Sequence, residues 1–246
     1  MNRSAPLAAC ALLLVAASAH AGPADYVYTP NVEYGERELD LKMGSAGDND
    51  AGGESRSAGS IGFGLGAAKR WFTELYVKFE KESGEKLRYE AIEWENKFQL
   101  TESGQLPVDI GFLLELERPR DRAEGYEAKW GPLFQRDWGR FQLNANLLFE
   151  RMFHSDEPEE TELGYQLQVK YRWRREFEYG MQAFGDLGRW DEWAPAREQE
   201  HRVGPAVFGK FSTSDHHTIA YNAAMLFGLT AATPDVTFRL QAEYEF

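Results

Sequence analysis

The sequence predicts an all-β chain, a single antiparallel up-and-down transmembrane β-barrel of about twelve strands. Three observations carry that prediction. The final stretch places Val236, Phe238, Leu240, Ala242, Tyr244 and Phe246 on one face and Thr237, Arg239, Gln241, Glu243 and Glu245 on the other. This is the period-two alternation of a strand with one apolar and one polar side. Alternation of the same kind recurs along the chain in segments of roughly ten residues, the length a tilted strand needs to cross a bilayer. Mean hydropathy is −0.55 although aromatic residues make up 14% of the chain; a barrel showing only alternate residues to lipid around a polar interior reconciles the two.

The N-terminus reads as an export signal. Arg3 supplies a basic start, Leu7 to Ala17 an apolar run too short to span a membrane, and Ala19-His20-Ala21 a small-residue cleavage site. Residues 1–21 are therefore expected to be removed after Ala21, leaving 22–246 as the barrel domain. Leu7-Ala8-Ala9-Cys10 matches a lipoprotein box, but most of the apolar run follows Cys10 instead of preceding it. Removal of the signal removes the sole cysteine, and with it disulfides and thiolate metal sites. The formal charge of −13 leaves no basic stripe to neutralise phosphates, so nucleic acid is not an expected partner.

In chain order, an extended stretch at Tyr26 to Pro30 leads to a first strand near Val32 to Met43, and Gly44 to Ser60 reads as a Gly/Ser-rich loop. A second strand near Ile61 to Ala67 sets Ile61, Phe63 and Leu65 against Gly62, Gly64 and Gly66; these glycines are expected to permit tight curvature or close approach inside the barrel. The third opposes Trp71, Thr73, Leu75, Val77 and Phe79 to Phe72, Glu74, Tyr76, Lys78 and Glu80. A fourth, Leu87 to Leu100, changes phase near Ala91, which predicts a bulge. The fifth opposes Val108, Ile110, Phe112, Leu114 and Leu116 to Asp109, Gly111, Glu115 and Glu117, with Leu113 out of pattern. The sixth, Tyr126 to Gln135, is expected to be interrupted by Pro132. The seventh (Phe141 to Glu150) and eighth (Leu163 to Arg174) alternate cleanly, and three more precede the last, around Phe177 to Leu187, Arg202 to Phe211 and Thr218 to Leu229.

Connection lengths support an even count. With both termini on one side, the connections at the far side are Gly44–Ser60, Lys81–Lys86, Arg118–Gly125, His154–Glu162, Gly188–His201 and Thr230–Pro234. These are mostly longer than the alternate set of Ala68–Arg70, Thr101–Gln105, Arg136–Gly139, Arg175–Glu176 and Ser212–Asp215, the asymmetry of long outer loops over short inner turns. Trp71, Phe98, Phe141, Trp173, Phe177, Phe211 and Phe246 cluster beside the short turns, where an interfacial girdle belongs. The competing reading, a soluble β-sandwich or small barrel, would have to pack all these rings into one core.

The polar face of each strand becomes a lumen wall. Its candidate lining residues are Glu93, Glu95, Asp109, Glu115, Asn144, Asn146, Gln166, Gln168, Lys170, Arg172, Arg239 and Gln241. One reading is a polar conduit for small solutes; the alternative is a plug of paired charges filling a narrow barrel, whose loops meet a partner. No Gly-x-Ser-x-Gly elbow is present, and His154 beside Ser155 is only a sequence neighbour, so no catalytic residue is assigned and enzymatic activity is not expected. Asp215-His216-His217 has the donors to hold a metal but reads more simply as a polar turn, and Asp48-Asn49-Asp50 and Asp156 to Glu160 do not match a calcium loop; no metal or cofactor is expected.

The closing strand, with Phe238, Leu240, Tyr244 and a terminal Phe246, resembles the assembly signal of bacterial outer-membrane barrels. Trp130-Gly-Pro-Leu-Phe, Phe141-Gln-Leu-Asn-Ala-Asn and Arg202-Val-Gly-Pro resemble small outer-membrane barrels grouped with transporters or with phenol-degradation-pathway outer-membrane proteins. That resemblance implies an outer-membrane location, contact with outer-membrane lipid, delivery by the outer-membrane assembly machinery, and passage of a small molecule. It transfers no catalytic or substrate residue.

Overall fold

Strand formation follows the alternation closely. In the computed structural model, residues 22–48, 55–156, 159–214 and 217–246 are described. They form β1 (Arg37–Gly47), β2 (Ser55–Ala68), β3 (Trp71–Glu82), β4 (Arg88–Gln99), β5 (Asp109–Pro119), β6 (Tyr126–Trp138), β7 (Phe141–Phe153), β8 (Thr161–Arg174), β9 (Phe177–Arg189), β10 (Glu200–Ser214), β11 (His217–Gly228) and β12 (Val236–Glu245). Each pairs antiparallel with its sequence neighbours, and β12 closes on β1 from Glu38↔Glu245 to Gly47↔Val236. Closure satisfies every ladder and leaves no free edge. The expected signal peptide, Cys10, Asn49, Asp50, Glu157, Pro158, Asp215 and His216 lie outside the described residues.

The alternating faces separate as expected of a membrane barrel. Leu39, Ile61, Leu75, Trp94, Leu147 and Phe238 are exposed on the outside, while Glu74, Glu95, Asn144, Gln168 and Arg239 are buried within. On the rim of short turns, aromatic pairs such as Trp71–Phe98, Trp173–Phe177 and Tyr244–Phe246 have centroids 6.4, 6.1 and 5.6 Å apart. Phe246 N–H donates to Arg37 O on the same rim, so the chain ends beside the start of β1.

Three expectations need correction. The first strand begins at Arg37, not Val32; residues 22–36 form no strand and run inside the barrel. Pro30 and the left-handed Gly35 (φ 85°) break the extended run before the alternation starts. The Gly44–Ser60 segment is only partly loop, because β1 continues to Gly47 and β2 starts at Ser55. There Ser45↔Ser57 and Gly44↔Ala58 pair through backbone, which needs no large side chain. Finally, β6 is continuous through Pro132. Pro132 pairs with Phe112 on β5, while the β6–β7 ladder is silent at Gly131 and Pro132 and resumes in the same register. The β10–β11 ladder passes Gly204-Pro205 in the same way. Proline lacks the donor these positions would need. The adjoining glycines admit a close carbonyl: a Cβ on Gly131 or Gly204 would sit 1.9 Å from Leu147 O or Met225 O. The expected bulge in β4 falls at Glu90, between the pairs Lys78↔Ala91 and Phe79↔Tyr89.

Candidate functional site

The lumen is built from three unlike walls. On β1 and β3 to β6 the inward residues are mostly charged. Strand register places carboxylates directly opposite one another, as Glu74↔Glu95, Glu95↔Glu115, Glu93↔Glu117 and Glu117↔Glu127. Like charges at that spacing repel. Lysines interleaved on the same wall offset the repulsion. Lys78 Nζ lies 3.0 Å from Glu93 and 2.5 Å from Glu117; Lys129 Nζ lies 3.0, 3.7 and 3.8 Å from Glu150, Glu127 and Glu115. Lys42 Nζ sits 3.6 Å from the ring centroids of both Tyr26 and Tyr76, with Asp40 at 3.5 Å.

On β6 to β9 the wall is an uncharged amide ladder. Gln182 donates to Gln168 (2.6 Å), Gln168 to Asn144 (3.2 Å) and Asn144 to Gln135 (3.0 Å). All four are cross-strand neighbours in one row. One turn of pleat above, Asn146 donates to Gln166 at 3.0 Å. The third wall, on β9 to β11, is apolar: Phe184, Ala206, Phe208, Ala224 and Leu226.

Residues 22–36 descend between these walls from the loop end to the turn end. At the top, Arg202 donates to Gly22 O at 2.9 Å and Arg239 to Asp25 O at 2.5 Å; both guanidiniums lie over the Phe184 ring, and Arg239 Nε and Nη2 are buried without acceptors. In the middle, Tyr26 donates its hydroxyl to Glu95 at 2.6 Å and Tyr28 to Glu115 at 2.5 Å. Between them Val27 enters the apolar wall, while the two tyrosines contact Leu113, Leu133 and Leu148. The Tyr28 backbone is read by the amide wall: its N–H donates to Gln166 Oε1 at 3.3 Å and its carbonyl accepts from Asn146 at 3.1 Å. At the bottom Val32 N–H donates to Gln99 at 3.0 Å, and Gly35 and Glu36 exchange backbone bonds with Gly66. Wall glycines make room for this main chain. A Cβ on Gly44 would meet Pro23 O at 1.9 Å, on Gly66 Glu33 O at 1.9 Å, and on Gly111 Pro30 Cα at 2.8 Å. Gly66 thus performs the close approach expected of the second strand.

Beside the lower part of the segment, toward the turn rim, a cavity of about 760 Å³ is lined by segment residues from Tyr26 to Glu36 and by wall groups including Glu38, Lys97, Lys170, Glu178, Lys210 and Glu243. Among its charges, Lys170 pairs with Glu178 at 3.0 Å and Lys210 with Glu245 at 2.7 Å.

The sequence-derived lining residues fall at three levels. Glu93, Glu95, Glu115, Asn144, Asn146, Gln166, Gln168, Arg239 and Gln241 are buried in the walls. Lys170 borders the cavity. Asp109 and Arg172 sit at the turn rim, Asp109 accepting from Gly104 N–H and Arg172 forked onto Asp137 at 2.9 and 3.0 Å. Sequence reasoning missed the plug and the inward apolar residues. Their signal was weak but present, as apolar side chains out of phase with the strand, of which Leu113 was the visible case. Acidic and basic residues share one wall, where Lys42, Lys78, Lys97 and Lys129 stand among the carboxylates.

Glu93, Glu95 and Glu115 bring one ligand oxygen each within 4.8 Å of the others, a spacing able to hold a cation. The same carboxylates are already engaged by Lys78, by Tyr26 and by Tyr28. The described histidines serve elsewhere: His201 Nδ1 meets the Tyr165 hydroxyl at 3.0 Å and His217 Nδ1 that of Tyr244 at 2.6 Å. His154 N–H donates to Glu159 at 2.8 Å, which holds that loop carboxyl below its ordinary range.

No protein-family model and no curated protein sequence matches the chain. Solved structures do. The COG4313 outer membrane channel from Pseudomonas putida F1 superposes with a TM-score of 0.60 at 12% identity, over 92% of this chain and 99% of that one. The NanC porin gives 0.56 at 10% identity, over 85% and 98%. The translocator domain of the autotransporter NalP from Neisseria meningitidis gives 0.53 at 12% identity, over 87% and 89%. The fold is that of a small outer-membrane β-barrel.

Proposed function

We propose that the protein is an outer-membrane channel or transporter for small polar solutes, closed at rest by its own residues 22–36. The observation that carries this reading is how the segment is held. From Gly22 to Val32 it is bound by side-chain hydrogen bonds to the walls, backbone bonds to Gly66 follow at its foot, and it contributes no strand to the barrel. It can leave the lumen without unpairing any strand of the barrel, and the cavity alongside its lower part already opens part of the path. The buried Glu, Lys, Asn and Gln walls suit a polar solute. The rival reading, a permanently filled barrel with loop-mediated partner binding, draws on the lysine-stitched carboxylates, which rigidify one wall. Single-channel recording separates the two. The full-length wild type should conduct little. The full-length Tyr26→Ala/Tyr28→Pro variant, which removes both hydroxyl anchors and the Tyr28 N–H, should conduct in clearly larger steps. Equal, negligible conductance from both proteins, each shown to be folded by heat-shifted gel mobility, would favour the filled barrel.

The reading assigns no catalysis. It includes export through removal of residues 1–21 and recognition of Phe238, Leu240, Tyr244 and Phe246 by the outer-membrane assembly machinery. Deleting Phe246 removes its bond to Arg37 O and its ring contact with Tyr244. The expected result is a lower yield of barrel in the outer-membrane fraction; an unchanged yield would count against the signal.

A further inference from the structure

The inserted segment is held as a peptide is held, and chiefly by its main chain. Wall side chains reach Gly22 O, Asp25 O, Tyr28 N, Tyr28 O and Val32 N, contacts any residue other than proline at the two N–H positions can make. Toward the ends, side-chain contacts with the wall include Asp25 with Arg202 at 3.6 Å and Asn31 with Ser103 at 2.9 Å; the buried side-chain selection is at the centre. There the extended backbone sends Tyr26 and Tyr28 to the carboxylates of Glu95 and Glu115 and turns Val27 to the apolar wall. The clearance at Gly44 and Gly66 fits a backbone and not a particular side chain.

We propose that the lumen is a binding site for extended peptides with a Tyr–apolar–Tyr core, and that residues 22–36 occupy it as an internal stand-in for such a ligand. When the segment leaves, Asn146 and Gln166 keep their mutual bond but lose the Tyr28 backbone, and Glu95 and Glu115 keep lysines at 3.8–4.0 Å but lose the tyrosine hydroxyls, all in a narrow site. An incoming peptide of the same pattern restores all of them, whereas an apolar solute restores none. This deepens the conduit reading by naming a substrate class, and rests on it for passage; binding is measured independently of conductance.

The test uses the full-length Tyr26→Ala/Tyr28→Pro chain, whose walls are untouched, in detergent, with fluorescein-labelled peptides followed by anisotropy. One peptide copies residues 22–32; a second keeps only a central Tyr-Val-Tyr within unrelated flanks; a third carries Phe-Val-Phe. The first two should bind within about threefold of each other, and the third at least about tenfold more weakly, since it lacks both phenol-to-carboxylate bonds. Adding Asn146→Leu should weaken all three. Wild type should bind far less, because its tethered segment competes at high effective concentration. If the double variant does not yield a heat-shifted, folded barrel, full-length Tyr26→Phe/Tyr28→Phe replaces it with the same expectations. Binding of the self-sequence alone, equal binding of the Phe peptide, or no binding to a folded variant overturns the proposal. Conductance without peptide binding sinks this inference and keeps the channel; binding without conductance does the reverse.

Discussion

The charged wall and the amide wall of the lumen solve the same problem by different chemistry. Both must bury polar side chains on a closed sheet and hold the inserted segment between them. On β3 to β6 the register forces carboxylates into opposition, and the wall depends on lysines such as Lys129 to bridge them. On β6 to β9 the donors and acceptors are carried by the same residue type, so the row Gln182→Gln168→Asn144→Gln135 links four buried amides without charge. The charged wall grips the tyrosine side chains, and the amide wall grips the main chain of Tyr28. The difference teaches that selectivity and sequence-tolerant holding are allotted to separate walls. It also means the two should fail differently when a single residue is removed.

The largest effect is expected on the charged wall. Lys129→Met leaves Glu115, Glu127 and Glu150 facing one another without their shared cation. Breaking a buried ion cluster by removing one partner costs about 3–5 kcal/mol. Denaturant unfolding in lipid or detergent should show that loss. A change below ~1 kcal/mol would mean that water, not Lys129, compensates the carboxylates.

The amide wall should respond more mildly and according to position in the row. Asn144→Leu strands Gln135 Oε1 and Gln168 Nε2 together, for about 1–3 kcal/mol. Gln182→Leu ends the row one residue early but also removes an acceptor, Gln182 Oε1, that is buried without a partner. Its net cost should be within ~1 kcal/mol, the smallest of the series. Equal losses for the two, by the same unfolding measurement, would show that the row does not act as a directional ladder.

Much of this was legible before the structure. The faces of Trp71 to Glu80, Phe141 to Glu150 and Val236 to Glu245 follow from period-two spacing alone, because a pleated strand decides side-chain direction locally. The first strand was misplaced for the converse reason. Val32 and Tyr34 are apolar and extended in sequence, but Gly35 and Gly66 hold that stretch against the inner wall through backbone bonds that leave no mark on composition. Leu113 illustrates the intermediate case. It violated the alternation visibly, yet its meaning, a contact for Tyr26 and Tyr28, depends on a segment more than eighty residues earlier in the chain.

Strand number, facing and the aromatic rim were thus determined by the sequence itself, since each rests on spacing within one strand or one turn. What occupies the lumen was decided only in three dimensions. Tyr28 meets Glu115 at a separation of 87 residues and Gln166 at 138, and no local period encodes such a meeting. The same extended Tyr-Val-Tyr could have been an edge strand or a tether. It becomes a plug because closing the barrel brings a carboxylate wall, an amide wall and an apolar wall within hydrogen-bonding and packing reach of one peptide.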